Sequence, residues 1–277
     1  DQPEKKGFFG KKKEKKDKKD QQIEEIFHNR LLEAYNNYLI IGGMPACINA
    51  FLKSGSFLDV PLVQNEILDN YIADMAKYAS NTDSVKIRAC YNSIPAQLAK
   101  DNKKFQYKVV QKGGSATLFG ASIEWLNLAG VVLKCQRISQ AFEPIAVYAD
   151  LSAFKLYMGD VGLLTMKSGI SQQTVLSGEG NTFMGAVAEN YVAQQLAAKG
   201  YDLYYWESSS TAELDFVLQK GNQIIGIEVK KGEHVRSRSL SVFMSNYKPA
   251  YSIRLSLKNF GEKDELKAIP LYAVFCI

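Results

Sequence analysis

Residues 214–231 read LDFVLQKGNQIIGIEVKK, two alternating runs hinged on Gly221-Asn222. A two-residue Gly-Asn loop between such runs predicts a β-hairpin. With that loop Lys220 faces Gln223, Asp215 faces Glu228, and Glu213 faces Lys230. Alternation then gathers Leu214, Phe216, Leu218, Ile225, Ile227 and Val229 on one wholly apolar face. Cross-strand neighbours stand about 4.5–5.5 Å apart at Cβ, where like charges destabilise a sheet.

Two readings of the Asp215–Glu228 pair stand side by side. In one, the face is solvated, Glu213–Lys230 is an ordinary ion pair, and water tolerates the two acids. In the other, a divalent cation lies between the carboxylates, with Lys230 at its edge to orient or deprotonate a bound water or to steady a phosphate. Magnesium suits such a site, because it takes hard oxygen ligands, few carboxylates and several retained waters. Glu189 adds to the second reading. It shares a helical stripe with Gly185, Val192 and Leu196, where a glutamate is uncomfortable unless it reaches a cation or turns to solvent at the helix flank.

Outward from the hairpin, GAVAENYVAQQLAAKG reads as a helix and YDLYYWES as a strand. A helix near Ser239–Ser245 and strands YSIRLSL and PLYAVF follow. With the hairpin this makes an α-β-β-β-α-β unit on a central sheet, over 182–277. The polar, glycine-rich stretch 168–181 (SGISQQTVLSGEGN) reads as a linker.

The segment 21–167 is mainly helical. Ile23, Ile26, Phe27, Leu31, Tyr35 and Tyr38 recur at helical spacing, until Gly42-Gly43 releases the backbone and Pro45 opens the next helix. A further helix is predicted over Val63–Ala79. Ser93 is placed as the cap of a short helix from Pro95 to about Lys100, and Ser115 as the cap of one reaching Leu128. VVLKCQRI then reads as a strand, and FKLYMGDVGLL as a strand turning into a helix. Helix, short helix, longer helix and strand pair is the order of a winged helix. The would-be recognition helix is poor in base-reading side chains, with Lys112 near its start, Glu124 along it and Asn127 at its end. Lys100, Lys103, Lys104, Lys108 and Lys112 suit phosphate contact instead. A scaffold role for the helices is favoured over DNA readout, because fold does not fix function.

Charge bounds the partners. Residues 1–20 hold nine lysines and five acids, a solvated, disordered tail by composition. Of the chain's 34 basic and 29 acidic residues, 25 and 24 remain for the body, which is nearly neutral and makes no broad case for nucleic acid. No apolar run approaches the roughly 18 residues of a membrane span. Four scattered cysteines without a CxxC pair, and only two histidines, speak against a zinc site and for a reducing, cytoplasmic compartment.

Glu189 on a helix, Asp215 on a strand and Glu228-Val229-Lys230 on the next resemble the PD-(D/E)xK restriction-endonuclease-like pattern, whose order Holliday-junction resolvases share. The resemblance implies that Asp215 and Glu228 are metal ligands joined by the Val229 carbonyl, with Lys230 the catalytic lysine and Glu189 the helix acid. The implied ion is magnesium, with manganese as its substitute, and the implied substrate is DNA. Leu214 stands where that motif has proline. A longer resemblance runs over nearly all of residues 23–277. YLIIGGMPACI, SIPAQLAKDNKKFQYKVV, FKLYMGDVGLL, GAVAENYVAQQL, YYWESSSTAELDFVL and IEVKKG together resemble the C-terminal region of prokaryotic AAA-type ATPases, called domain of unknown function 4143. That family places an ATPase module before a winged-helix-like linker and a nuclease-like domain. No G-x-x-x-x-G-K-[ST] occurs here, so ATP would enter only through an ATPase module outside this fragment. Two functions follow: a magnesium-dependent nuclease-like module, or a non-catalytic DNA- or protein-interaction module that regulates the ATPase.

Overall fold

The computed structural model describes residues 22–178, 181–208, 212–231 and 238–277. The basic run at 1–20 lies outside them. Helix α1 (Glu25–Ile41) ends at Gly42, whose φ of 76° and N–H bond to the Tyr38 carbonyl turn the chain back. A Cβ at Gly42 would lie 2.1 Å from an Asp160 oxygen, so only glycine fits. Pro45 opens α2 (Pro45–Ser54), and α3 (Val60–Tyr78) follows, three residues earlier than its apolar spacing predicts.

Helix α4 (Asn81–Leu98) departs from the sequence reading. Its cap is Ser80, which accepts from the Asp83 N–H, and Pro95 lies inside it. An interior proline usually costs a helix about 3 kcal/mol. Here Ile87, Cys90, Tyr91, Ile94 and Leu98 form one buried stripe, and that burial carries the helix through the proline. Ser93 is no cap; its hydroxyl donates back to the Cys90 carbonyl. A single turn, α5 (Tyr107–Val110), precedes α6 (Ala116–Leu128), which is capped by Ser115 as its sequence predicts.

Strands β1 (Val132–Ile138) and β2 (Ala149–Met158) pair antiparallel, and α7 (Val161–Ser168) leaves β2 directly. Next come α8 (Gln172–Ser177), α9 (Met184–Ala198), β3 (Tyr204–Glu207), β4 (Glu213–Lys220) and β5 (Gln223–Val229). Then α10 (Arg238–Tyr247), β6 (Ser252–Ser256), β7 (Gly261–Lys263) and β8 (Leu266–Pro270) complete the order. Residues Leu271–Cys276, read from sequence as a strand, form a 3₁₀ turn whose Leu271, Tyr272, Ala273 and Val274 are all buried. A continuous apolar run does not distinguish a buried strand from a buried turn of helix.

The fold is therefore mixed α/β, helices first and one mixed eight-stranded sheet after, in the order β2-β1-β3-β4-β5-β6-β8-β7. β1 and β2 belong to that sheet, because β1 runs parallel to β3. The sheet thus crosses the stretch 168–181 read as a linker, which itself carries α8. One buried apolar cluster likewise joins Tyr35 and Ile87 to Ile227 and Val274. On one face of the sheet lies α9, so deeply set that Val187, Glu189, Asn190 and Val192 are all buried. On the other lies α10, where Phe243 and Tyr247 pack edge-on against Trp206. All four cysteines are free thiols, and among the described residues no helix is long and apolar enough to cross a membrane.

Asp160 ties the two halves together. It caps α7 by accepting the Leu163 N–H, and it accepts the Gly43 N–H at 2.6 Å and the Gln194 amide at 3.2 Å. Loss of a cap and of a buried acceptor both destabilise. Asp160→Ala is expected to cost roughly 2 kcal/mol or more in urea unfolding, with an unchanged m-value.

Candidate functional site

The β4–β5 hairpin adopts the predicted register, with Lys220 opposite Gln223 and Phe216 opposite Ile227. The regular ladder stops there, one pair short of Asp215 and Glu228. Against β3 the register of β4 shifts by one, from Tyr204–Val217 to Trp206–Leu214. This bulge changes which face the start of β4 presents. Leu214 consequently packs with Val217, Trp206 and Phe243, apart from Phe216, Leu218, Ile225, Ile227 and Val229. The single apolar face expected from alternation is thus split at Leu214. Asp215, at the bulge, accepts the Val229 N–H at 2.8 Å.

Asp215 lies in a cluster of charges on the α9 face. Glu189 projects from α9 and is buried; its carboxylate pairs with the Lys103 ammonium and accepts the Tyr157 hydroxyl at 3.3 Å. Lys155, on β2, is fully buried, pairs with Glu213 and lies 4.9 Å above the Tyr205 ring. Such an ammonium would be costly without close anionic partners. Burial alone would lower its pKa, but Glu189, Glu213 and Asp215 outweigh burial and raise it. Burial and the Glu189 charge push Asp215 up from 3.8 to about 7, against the opposing pull of Lys155, the Val229 N–H and Lys103. Burial also raises the neighbouring Cys135 thiol and Tyr157 phenol.

Lys103 reaches this cluster because its neighbours ride on the free edge of β2. Lys104 bridges to Lys155, and the Phe105 N–H donates to the Phe154 carbonyl at 2.8 Å. Lys104 pairs with Glu207, which also takes Arg137 at 3.1 Å. Two of the lysines read from sequence as phosphate contacts are therefore held by internal acids.

Glu228 and Lys230 lie elsewhere. Ile227 and Val229 flank Glu228 and both join the large core, so alternation turns Glu228 and Lys230 to the α10 face. Glu228 is buried, 3.3 Å from the Arg254 guanidinium across a parallel ladder and 3.4 Å from the Lys230 ammonium. Glu213, expected opposite Lys230, pairs with Lys155 instead. The structure brings Glu189 and Asp215 into one cluster and Glu228 and Lys230 into another, with Val229 between them along the strand. Sequence reasoning missed Lys155 and read Lys103 as a phosphate contact rather than as the partner of Glu189. The one available signal was a lysine at an inward position of the apolar strand FKLYM.

The structure separates Asp215 from Glu228, the two carboxylates expected to bind magnesium. Among the described residues no group of three or more histidine, cysteine, aspartate or glutamate side chains is arranged to hold a metal. Of the acids expected at such a site, Glu189 faces Lys103, Glu228 faces Arg254 and Lys230, and Asp215 accepts the Val229 N–H.

Residues 32–174, just over half of the chain, match the profile of the domain of unknown function DUF8612. The chain belongs to that family. Residues 184–274 match the domain of unknown function DUF4143, so the C-terminal resemblance read from sequence holds for this region. Lys103 and Lys155 fall in the first match, and Glu189, Glu213, Asp215 and Glu228 in the second. The chain is similar to the uncharacterized protein Mb2031c of Mycobacterium bovis and the uncharacterized protein Rv2008c of Mycobacterium tuberculosis. Each is 38% identical over 79 residues, 28% of this chain and 18% of the relative. The match thus spans under a fifth of the length of these relatives. No solved structure matches.

Two outcomes follow from the cluster. The fold holds the Asp215 proton more tightly than the unfolded chain does. The ionised carboxylate therefore weighs against the fold as pH rises from 3.8 through about 7. Asp215→Asn is expected to raise Tm at pH 8 and to make little difference at pH 4, read by thermal melts across that range. Lys155→Met leaves Glu213 and its neighbours without their cation and is expected to cost about 3–5 kcal/mol at pH 8, measured by urea unfolding.

Proposed function

We propose that this chain is a non-catalytic protein-interaction module that works with an ATPase module lying outside the present sequence. In this reading the N-terminal helices are a winged-helix-like scaffold. The sheet half keeps a restriction-endonuclease-like frame without its metal. The observation that carries the proposal is the internal compensation of the acids. Lys103 and Lys155 stand against Glu189 and Glu213, while Arg254 and Lys230 stand against Glu228. Protein is favoured over DNA as the partner because the body is nearly neutral and Lys103 and Lys104 are taken by internal acids. ATP belongs to the other module, since this chain has no phosphate-cradling loop.

A second reading, a magnesium- or manganese-dependent nuclease, draws on the sequence order Glu189, Asp215, Glu228-Val229-Lys230 and on the high pKa of Asp215, a mark that active-site acids share. The two readings part in one set of assays. Magnesium and manganese are titrated calorimetrically into wild type and Asp215→Ala, and branched, single-stranded and duplex DNA are incubated with wild type and Lys230→Ala. The interaction reading expects no ion uptake that depends on Asp215 and no cleavage by either protein. Product made by wild type and lost in Lys230→Ala would establish the nuclease instead.

A further inference from the structure

We propose that a groove between α3, α4 and α6 binds lysine side chains of a basic segment on a partner protein. The inference rests on the interaction reading and names the partner's chemistry. Two adjoining hollows of about 290 and 430 Å³ share Tyr78 and Trp125 as a common wall. Tyr71 and Leu128 extend the wall on one side, and Asp74 and Asp83 supply a carboxylate to each hollow. Tyr78 is 65% and Leu128 85% exposed, so the aromatic wall opens to solvent rather than closing into the core.

Aromatic faces beside carboxylates form a receptor for an alkylammonium: the ring takes the cation and the apolar stem, and the acid takes the charge. The groove already shows this chemistry, because the Lys77 ammonium lies 4.7 Å above the Tyr78 ring. One Asp83 oxygen accepts the Ser80 hydroxyl, whereas the other meets Lys86 only at 3.8 Å, beyond hydrogen-bonding distance. That oxygen holds only a long, exposed ion pair with Lys86, for which an incoming ammonium can compete. The same two carboxylates repel phosphate, which sets nucleic acid aside as the occupant. A purely apolar helix would press the Asp74 and Asp83 carboxylates against apolar surface, a desolvation cost that an ammonium offsets.

The test uses a fluorescein-labelled ten-residue peptide of alternating lysine and serine, with a glutamine-for-lysine counterpart. Binding to the full chain is read by anisotropy and by Trp125 emission. Trp206 is buried and bonded to Tyr247, and gives a constant background. Saturable binding of the lysine peptide is expected, at least tenfold weaker for Trp125→Leu, for Tyr78→Ala and for the double variant Asp74→Asn/Asp83→Asn. The glutamine peptide is expected not to bind. Circular dichroism melts identify any variant that has lost its fold, and Tyr78→Ala, at an exposed position, keeps the test decisive. Absence of saturable binding, equal binding of the glutamine peptide, or unchanged affinity in all three variants would overturn the groove assignment. If the peptide fails while DNA remains uncleaved, only the groove is lost. Cleavage that depends on Lys230 would remove the interaction reading, whatever the peptide does.

Discussion

A lysine ammonium held with no solvent exposure is the constraint around which this molecule is arranged. Lys155 projects from β2 toward α9, where water cannot reach it. The desolvation penalty of an isolated charge there would take a large share of the stability of an ordinary domain. It is offset because the start of β4 brings Glu213, and α9 brings Glu189, to the same side, with Asp215 adding its pull once ionised. The bulge in β4 has its reason here. A regular strand would have kept Leu214 with Phe216 and turned both acids toward α10. The shifted register drops Leu214 into the pocket beside Trp206 and Phe243. Gly226 leaves room for it, since a Cβ there would approach the Leu214 and Phe243 side chains to 2.7 Å.

How far the sequence could be read follows from which interactions are local. The Gly221-Asn222 loop fixes the hairpin register within two residues of the turn, and Ser115 and Pro45 set helix starts by bonds that reach one turn. All three were legible for that reason. The bulge was not, because it arises from β3 on the far side of β4 and leaves no mark in the alternation of 213–220. Pro95 misled for the same reason in reverse. Its local effect is to end a helix, and a buried stripe beginning at Ile87 overrides it. Within the candidate site, Glu189 was recognisable as a glutamate in need of a cation. The cation is supplied by Lys103, 86 residues earlier, and sequence spacing cannot reveal such a pairing.

The near-neutral body takes on a structural meaning. Lys103, Lys104, Lys134, Arg137, Lys155 and Arg254 each face an acid from another element or across the sheet. Their charge is therefore closed within the fold and makes little field for a polyanion. The helical half also exposes aromatic and aliphatic side chains beside carboxylates, as at Tyr78 and Leu128. Sheet and helices thus divide the labour, one storing compensated charge and the other presenting surface.

The partition of that compensated charge makes the two matched regions interdependent. Both lysines of the α9 cluster come from the DUF8612 region, and its three acids come from the DUF4143 region. Neither stretch is electrically complete by itself, and β1 and β3 knit the two into one sheet. Without the DUF4143 stretch Lys155 would be buried with no anion beside it, and without the DUF8612 stretch Glu189 would lose its cation. Each stretch depends on the other for the electrical balance of the interior they share.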